Sequence, residues 1–125
     1  MPTDPLPPVP PVTWREESRD EDVVEERATV PSALPSGIAK NDLIPLRLVR
    51  PAESRGRIPV VLILHYWGAS DQRAELALAR DLARRGSAGL LMALPYHLER
   101  APAGSRSGEL AITVDPDRIR ATLLQ

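Results

Sequence analysis

The chain has 125 residues and a mass of 13.7 kDa, a length that fits one small domain at most. Its 16 basic and 17 acidic residues nearly cancel, which excludes the basic face of a general nucleic-acid binder. It has no cysteine and only two histidines, so we expect neither disulfides nor a metal site. Without a membrane-spanning apolar run or a secretory signal, the expectation is a cytoplasmic protein that does not bind membranes.

The amino-terminal segment differs from the rest of the chain in composition. Six of the fourteen prolines lie within residues 1–12, and the run from Arg15 to Arg27 is acidic. Proline fixes φ and lacks a backbone donor, so the segment predicts an extended, disordered tail. The alternative is a ligand for an aromatic-lined groove. We therefore place the tail at 1–21 and a folded domain at 22–125.

Two strands are predicted at the start of the folded part. Residues Val23 to Val30 mix β-branched and charged side chains, which is typical of a partly exposed edge strand. Residues Leu43 to Arg50 form the second strand, and Pro45 argues against a central place for it in the sheet.

A strand, a helix and a second strand follow. Residues Pro59 to Leu64 (PVVLIL) are a continuous apolar run, as in strands buried on both faces. A helix is predicted from about Gln72 to Arg85, with Ser70 or Asp71 as its cap. The run from Ala88 to Leu94 (AGLLMAL) is the second buried strand. This βαβ unit predicts an α/β fold with two parallel strands.

The remaining sequence is rich in loops until a last helix. Asp115 is placed to cap that helix, and Pro116 suits its first position. In an open α/β sheet, ligands bind at the carboxyl ends of parallel strands. Those ends are followed by residues 65–70 and 95–100, which hold both histidines, both tyrosines and Trp67.

The stretch PVVLILHYWGAS, the helix after it and GLLMALPYHLER together resemble the amino-terminal part of an α/β-hydrolase. They are most similar to the dienelactone-hydrolase and acetyl-esterase-like branches. The resemblance covers residues 22–125, and its most specific part is 59–100. It implies a partial α/β-hydrolase sheet of about four strands that stops before the nucleophile elbow.

The resemblance also implies roles for the residues of the two loops. Trp67 stands where the family contributes an oxyanion-hole N–H, beside Tyr66, where the family usually has glycine. His65 and Gly68 would anchor and shape the loop. Tyr96 and His97 would line the substrate pocket; the alternative for His97 is a surface loop residue.

The catalytic serine of the family is missing from this chain. No G-x-S-x-G occurs; residues 104–108 (GSRSG) have arginine at the centre and are predicted to be a plain loop. No dinucleotide or P-loop motif occurs either, so no cofactor is expected.

Two functional hypotheses remain. The first is an amino-terminal fragment of a serine hydrolase for ester or related acyl bonds. Such a fragment would be inactive alone and would bind a small acyl or ester substrate only when its missing half completes it. The second is a non-catalytic remnant or interaction module that uses the proline-rich tail and a strand edge. The family strand order 1-2-4-3-5 would leave PVVLIL at an open edge, which predicts self-association.

Overall fold

A computed structural model describes residue 8 and residues 10–125. This part of the chain forms one five-stranded mixed sheet with helices. The elements are, in chain order, β1 (Arg15–Arg19), β2 (Val23–Pro31), α1 (Ala39–Asp42), β3 (Leu43–Pro51), β4 (Val60–Leu64), α2 (Arg73–Arg84), β5 (Ala88–Met92) and α3 (Pro116–Leu124). Two short 3-10 helices, Leu98–Arg100 and Glu109–Ala111, lie between β5 and α3.

The strand order is β1-β2-β3-β5-β4. The pairs β1–β2, β2–β3 and β3–β5 are antiparallel. Strands β4 and β5 are parallel, with Val60 opposite Ala88 and Leu64 opposite Met92. The predicted α/β class is therefore confirmed, and so is the strand–helix–strand unit. With β1 set aside, the order of the remaining strands is the 1-2-4-3 order that the resemblance implies.

Helix α2 packs closely on one face of the sheet through small residues. Ala79 and Ala83 are buried, and a Cβ on Gly89 of β5 would lie 2.6 Å from the Cβ of Ala79. The core beneath the helix consists of Val23, Val49, Ile63 and Leu91, with Leu76 and Leu82 at its border. The predicted helix 72–85 is confirmed to within one residue at each end.

The predicted cap is confirmed for α3 but not for α2, where Gln72 holds the N-cap position without a side-chain capping bond and Asp71 lies one residue further out. The Asp71 carboxylate accepts the backbone N–H of Arg73 at 3.0 Å. At the start of α3, Asp115 accepts the N–H of Asp117 at 3.0 Å, and Pro116 occupies the first position. A carboxylate here satisfies a donor that has no partner within the helix.

The prediction that residues 23–30 form an edge strand is wrong, because β1 covers that side of β2. Strand β1 lies inside the segment 1–21 that the composition predicts as a disordered tail. Antiparallel pairing with β2 holds it, together with the ion pair between Glu17 and Arg27 of β2 at 2.7 Å. A second ion pair, between Glu16 and Arg19 at 2.9 Å, lies within β1. The proline-rich residues before it lie mostly outside the described part of the chain.

The expectation that Pro45 keeps its strand from the centre of the sheet is also wrong. Strand β3 pairs with β2 along its whole length and with β5 on its other side. The β5 pairing begins only at Leu46, opposite Met92. The proline ring therefore lies beyond the end of that ladder, where its missing N–H does not interrupt the pairing with β5.

Strand β4 forms the other edge of the sheet. It contains no charged residue, and four of its side chains are 41% to 57% exposed: Val60, Val61, Leu62 and Leu64. Among the described helices, none is long and apolar enough to cross a membrane.

Candidate functional site

His65 joins the ends of the two parallel strands. Its ring is buried, and its Nε2 accepts the backbone N–H of Leu94 at 3.0 Å. An acceptor at Nε2 places the proton of the neutral ring on Nδ1, which then donates to the carbonyl of Tyr66 at 2.9 Å. The ring thus holds the loop after β4 against the loop after β5.

The residues after His65 form a tight turn. The N–H of Ala69 donates to the carbonyl of Tyr66 at 3.3 Å, and Gly68 has φ of 75°. Trp67 does not have a positive φ, so the turn is type II, which favours glycine at its third position. Tyr66 does not have a positive φ either, so its Cβ causes no backbone strain at the position where the family usually has glycine.

Trp67 fastens this turn to the loop after β5. Its indole Nε1 donates to the carbonyl of Gly108 at 3.0 Å, although 58% of the residue is exposed. Gly108 has φ of 78°, and a Cβ there would overlap the Nε2 atom of His97. Two features therefore require glycine at 108: the positive φ of its backbone and the His97 ring beside it.

His97 lies inside the molecule, so the alternative prediction of a surface loop residue is wrong. It is 3% exposed, its ring centroid is 5.0 Å from that of His65, and its Nδ1 donates to the carbonyl of Pro95 at 2.8 Å. Its Nε2 has no partner among the described residues. Burial lowers the pKa of His97 below its ordinary value, and the nearby His65 and Arg100 lower it further.

A buried polar network supports the loop from below. The N–H of Tyr96 donates to Oδ1 of Asn41 at 2.7 Å, and this contact accompanies a φ of 63° at Tyr96. The fully buried Arg100 donates from Nε to the carbonyl of Asn41 at 2.9 Å and from a terminal nitrogen to that of Ala93 at 3.0 Å. Asn41 also donates to Gln125 of the last helix at 2.9 Å. Strained backbone held by buried hydrogen bonds is typical of a preorganised loop.

Sequence reasoning missed this network. It assigned no buried role to Arg100, and it predicted no element around Asn41. No sequence signal points to these contacts, because their members come from irregular segments far apart in the chain.

A cleft of about 810 Å³ opens beside Trp67. Its lining comes from the turn after β4 and the segment before α3: Trp67, Gly68, Ser70, Arg106, Ser107, Glu109 and Ile112. Neither Tyr66 nor the pocket candidates Tyr96 and His97 belong to this lining.

The cleft lacks a complete catalytic set. Ser105 donates to the carbonyl of Pro102 at 2.9 Å, and Ser107 accepts the N–H of Leu98 at 3.0 Å. Within the described residues, no serine hydroxyl contacts a histidine ring, and no cluster of three metal ligands forms. The described residues offer hydrogen-bond donors and a shaped cavity but no serine paired with a histidine that would activate it.

Comparisons with known proteins found a structural neighbour but no sequence family. No protein-family model matches the chain, and no curated protein matches it. A solved structure, the polyethylene-glycol complex of a cold-adapted esterase from an Arctic intertidal metagenomic library, superposes with a TM-score of 0.52 at 20% sequence identity. The match covers 88% of this chain but 42% of the esterase. The likeness shows the fold: a five-stranded α/β sheet consistent with part of an α/β-hydrolase-like domain.

Proposed function

We propose that this chain is the amino-terminal portion of an α/β-hydrolase-like serine hydrolase that acts on ester or related acyl bonds. The strand order, the tight turn at the carboxyl end of β4 and the likeness to an esterase fold support the proposal. In it, the serine, acid and base come from polypeptide outside this chain. The chain alone does not turn over substrate.

The contribution of this chain is one side of an oxyanion hole. The backbone N–H of Trp67 has no acceptor within the described residues, and it belongs to a turn at the carboxyl end of β4. A fixed N–H stabilises the negative oxygen that develops when a nucleophile attacks a carbonyl. It does so without reorganisation at the moment of reaction, because the donor is already in place.

The observation that carries the proposal is the double anchoring of this turn. His65 fixes its start to Leu94, and the Trp67 indole fixes its middle to Gly108. An oxyanion donor needs such rigidity, since a displacement of about 1 Å is enough to reduce the rate about 100-fold.

The first test reads the coding sequence after Gln125 for a continuation with G-x-S-x-G and assays the joined polypeptide with p-nitrophenyl acetate. Trp67→Pro removes the backbone N–H and suits the second position of a type II turn. We expect it to lower kcat about 10²- to 10³-fold relative to the matched control Trp67→Phe. Trp67→Phe loses the indole bond but retains the N–H.

Three outcomes would contradict the proposal. They are ester turnover by residues 1–125 alone, a coding sequence without the serine motif, and equal kcat for the two Trp67 variants. The second outcome would favour the interaction module.

The interaction module remains a second candidate because of one observation. Strand β4 presents unpaired backbone groups together with exposed apolar side chains. A module of this kind would pair its β4 with that of a second copy. It predicts a dimer or larger assembly, whereas a completed hydrolase covers the edge with its own next strand.

A further inference from the structure

Three arginines stand side by side across the sheet. Arg15 of β1 is directly opposite Arg27 of β2, and Arg27 is directly opposite Arg47 of β3. Residues directly opposite each other point to the same face of the sheet. Arg47 is opposite Leu91, which packs under α2, so the three arginines lie on the face that α2 covers in part. Like charges directly opposite each other destabilise a sheet, so this row costs stability unless an anion compensates it.

The acidic residues nearby neutralise the positive charge of the arginine row only in part. Glu17 lies 2.7 Å from Arg27, but Arg15 and Arg47 have no ion pair or side-chain hydrogen bond within the described residues. The carboxylates next to the row are engaged elsewhere: Glu16 with Arg19, Glu25 with Arg80 and Glu26 with Arg50.

The row lines a cavity of about 380 Å³ beside the start of α2. Glu99 also lines it, and with Glu17 paired to Arg27 the net charge around the cavity is +1, with Arg15 and Arg47 left without an ion pair within the described residues. Its other polar side chains can all donate hydrogen bonds: Thr13, Thr29 and Gln72. The Nε2 donor of Gln72 is buried and has no partner within the described part of the chain.

We propose that this arginine row binds a phosphate-type dianion, either inorganic phosphate or the phosphoryl group of a small monoester. Guanidinium groups match phosphate oxygens with paired hydrogen bonds, and a phosphate monoester has a charge of about −1.5 to −2 at neutral pH. The two guanidinium groups without an ion pair, those of Arg15 and Arg47, can both bind such an anion, whereas a single carboxylate leaves one of them uncompensated. The cavity has the volume of a small-molecule site.

This site shares no residue with the proposed oxyanion turn, although a groove between them is lined by Arg47 and Gln72 on one side and by Ser70 and Ser107 on the other. No residue lines both this cavity and the cleft beside Trp67. The inference therefore stands whether or not the chain belongs to a hydrolase.

The test titrates the full 125-residue chain with inorganic phosphate, glycerol 3-phosphate and succinate at constant ionic strength, with binding followed by calorimetry. We expect saturable binding of at least one phosphate compound and weaker binding of succinate. Tighter binding of glycerol 3-phosphate identifies a monoester as the ligand, and tighter binding of inorganic phosphate identifies the free anion. Arg47→Gln should weaken that binding at least about tenfold, while Arg55→Gln, which removes an exposed loop charge, should leave it unchanged.

Two further measurements guard against a folding defect. Arg15 lies at the exposed start of β1, and Arg15→Gln should weaken binding in the same way as Arg47→Gln. In phosphate-free buffer, Arg47→Gln should raise Tm, because it relieves the repulsion within the row. The proposal is overturned if neither phosphate compound binds, or if Arg55→Gln weakens binding as much as Arg47→Gln does.

Discussion

His97 shows how one residue makes the stability of this loop depend on pH. Its ring is buried beside Gly108, and its pKa is lowered by that burial. The unfolded chain, with an ordinary histidine pKa of about 6.5, therefore binds a proton at a pH where the folded chain does not. The free energy of unfolding should fall as the pH decreases from about 7 to 5, and chemical denaturation at each pH would measure it.

The control for this prediction is His97→Asn, whose amide can still donate to the carbonyl of Pro95. It should flatten the dependence between pH 7 and 5, since each unit of lowered pKa contributes about 1.4 kcal/mol. Asp20, Asp42 and Asp71 have lowered pKa values and stay ionised in this range. An equal slope in the variant and the parent would show that His97 is not the group responsible.

The two edge strands of the sheet differ in how they meet solvent. Strand β1 (REESR) has four charged residues out of five, which discourages pairing with another chain. Strand β4 (VVLIL) has none, and among the described residues no strand pairs with its open side. We therefore predict that the chain associates through this apolar edge.

Replacing Leu62 by lysine should reduce self-association of the chain. Leu62 is 53% exposed in the middle of β4, so a charge there opposes pairing with a second β4 at little cost to the core. Leu78→Lys is the matched control, since Leu78 is 50% exposed but lies on α2, away from the edge. Sedimentation velocity across a concentration series would measure the difference. A parent chain that stays monomeric, or equal effects of the two variants, would argue against pairing through β4.

The elements that the sequence predicts well are those with local signals. A continuous apolar run marks β4, small and apolar residues on one face mark α2, and Asp115 with Pro116 marks α3. Strand β1 has no such local signal. Its ion pair with Arg27 joins residues of different strands, and the local sequence does not reveal such a contact. The central place of β3 depends on where β5 stops pairing, and nothing in the sequence around Pro45 reveals that.

For the candidate site, too, the sequence predicts features with local signals but not the long-range contacts. The βαβ unit and the rule on carboxyl ends of parallel strands located the loops of His65 and Trp67. The bonds that fix those loops could not be predicted, because their acceptors and donors are backbone groups of Leu94 and Gly108. Any residue type can supply a backbone group, so composition and spacing give no sign of such contacts.

At the scale of the whole molecule, stability is distributed unevenly. Helix α2 lies over the central strands and buries Ala79 and Ala83, whereas α3 has no buried residue. Within the described part of the chain, two side-chain bonds tie α3 and the residue after it to other segments: Asn41 donates to Gln125, and Arg118 donates to the carbonyl of Leu110. Helix α3 therefore adds little apolar burial to the core, and its nine residues are too few for a stable helix alone.

This uneven distribution of stability predicts that two regions of the chain differ in how strongly their amides are protected from hydrogen exchange. Amides of α3 should exchange through local opening, while those of β3 and β5, paired on both sides, should exchange only in the largest opening. Gln125→Ala should speed exchange in α3 and leave β5 unchanged, because the bond to Asn41 tethers the helix without supporting the sheet. Exchange followed by mass spectrometry would measure both regions in one experiment. Equal protection of α3 and β5 would mean that the last helix unfolds together with the sheet, in spite of its exposed surface.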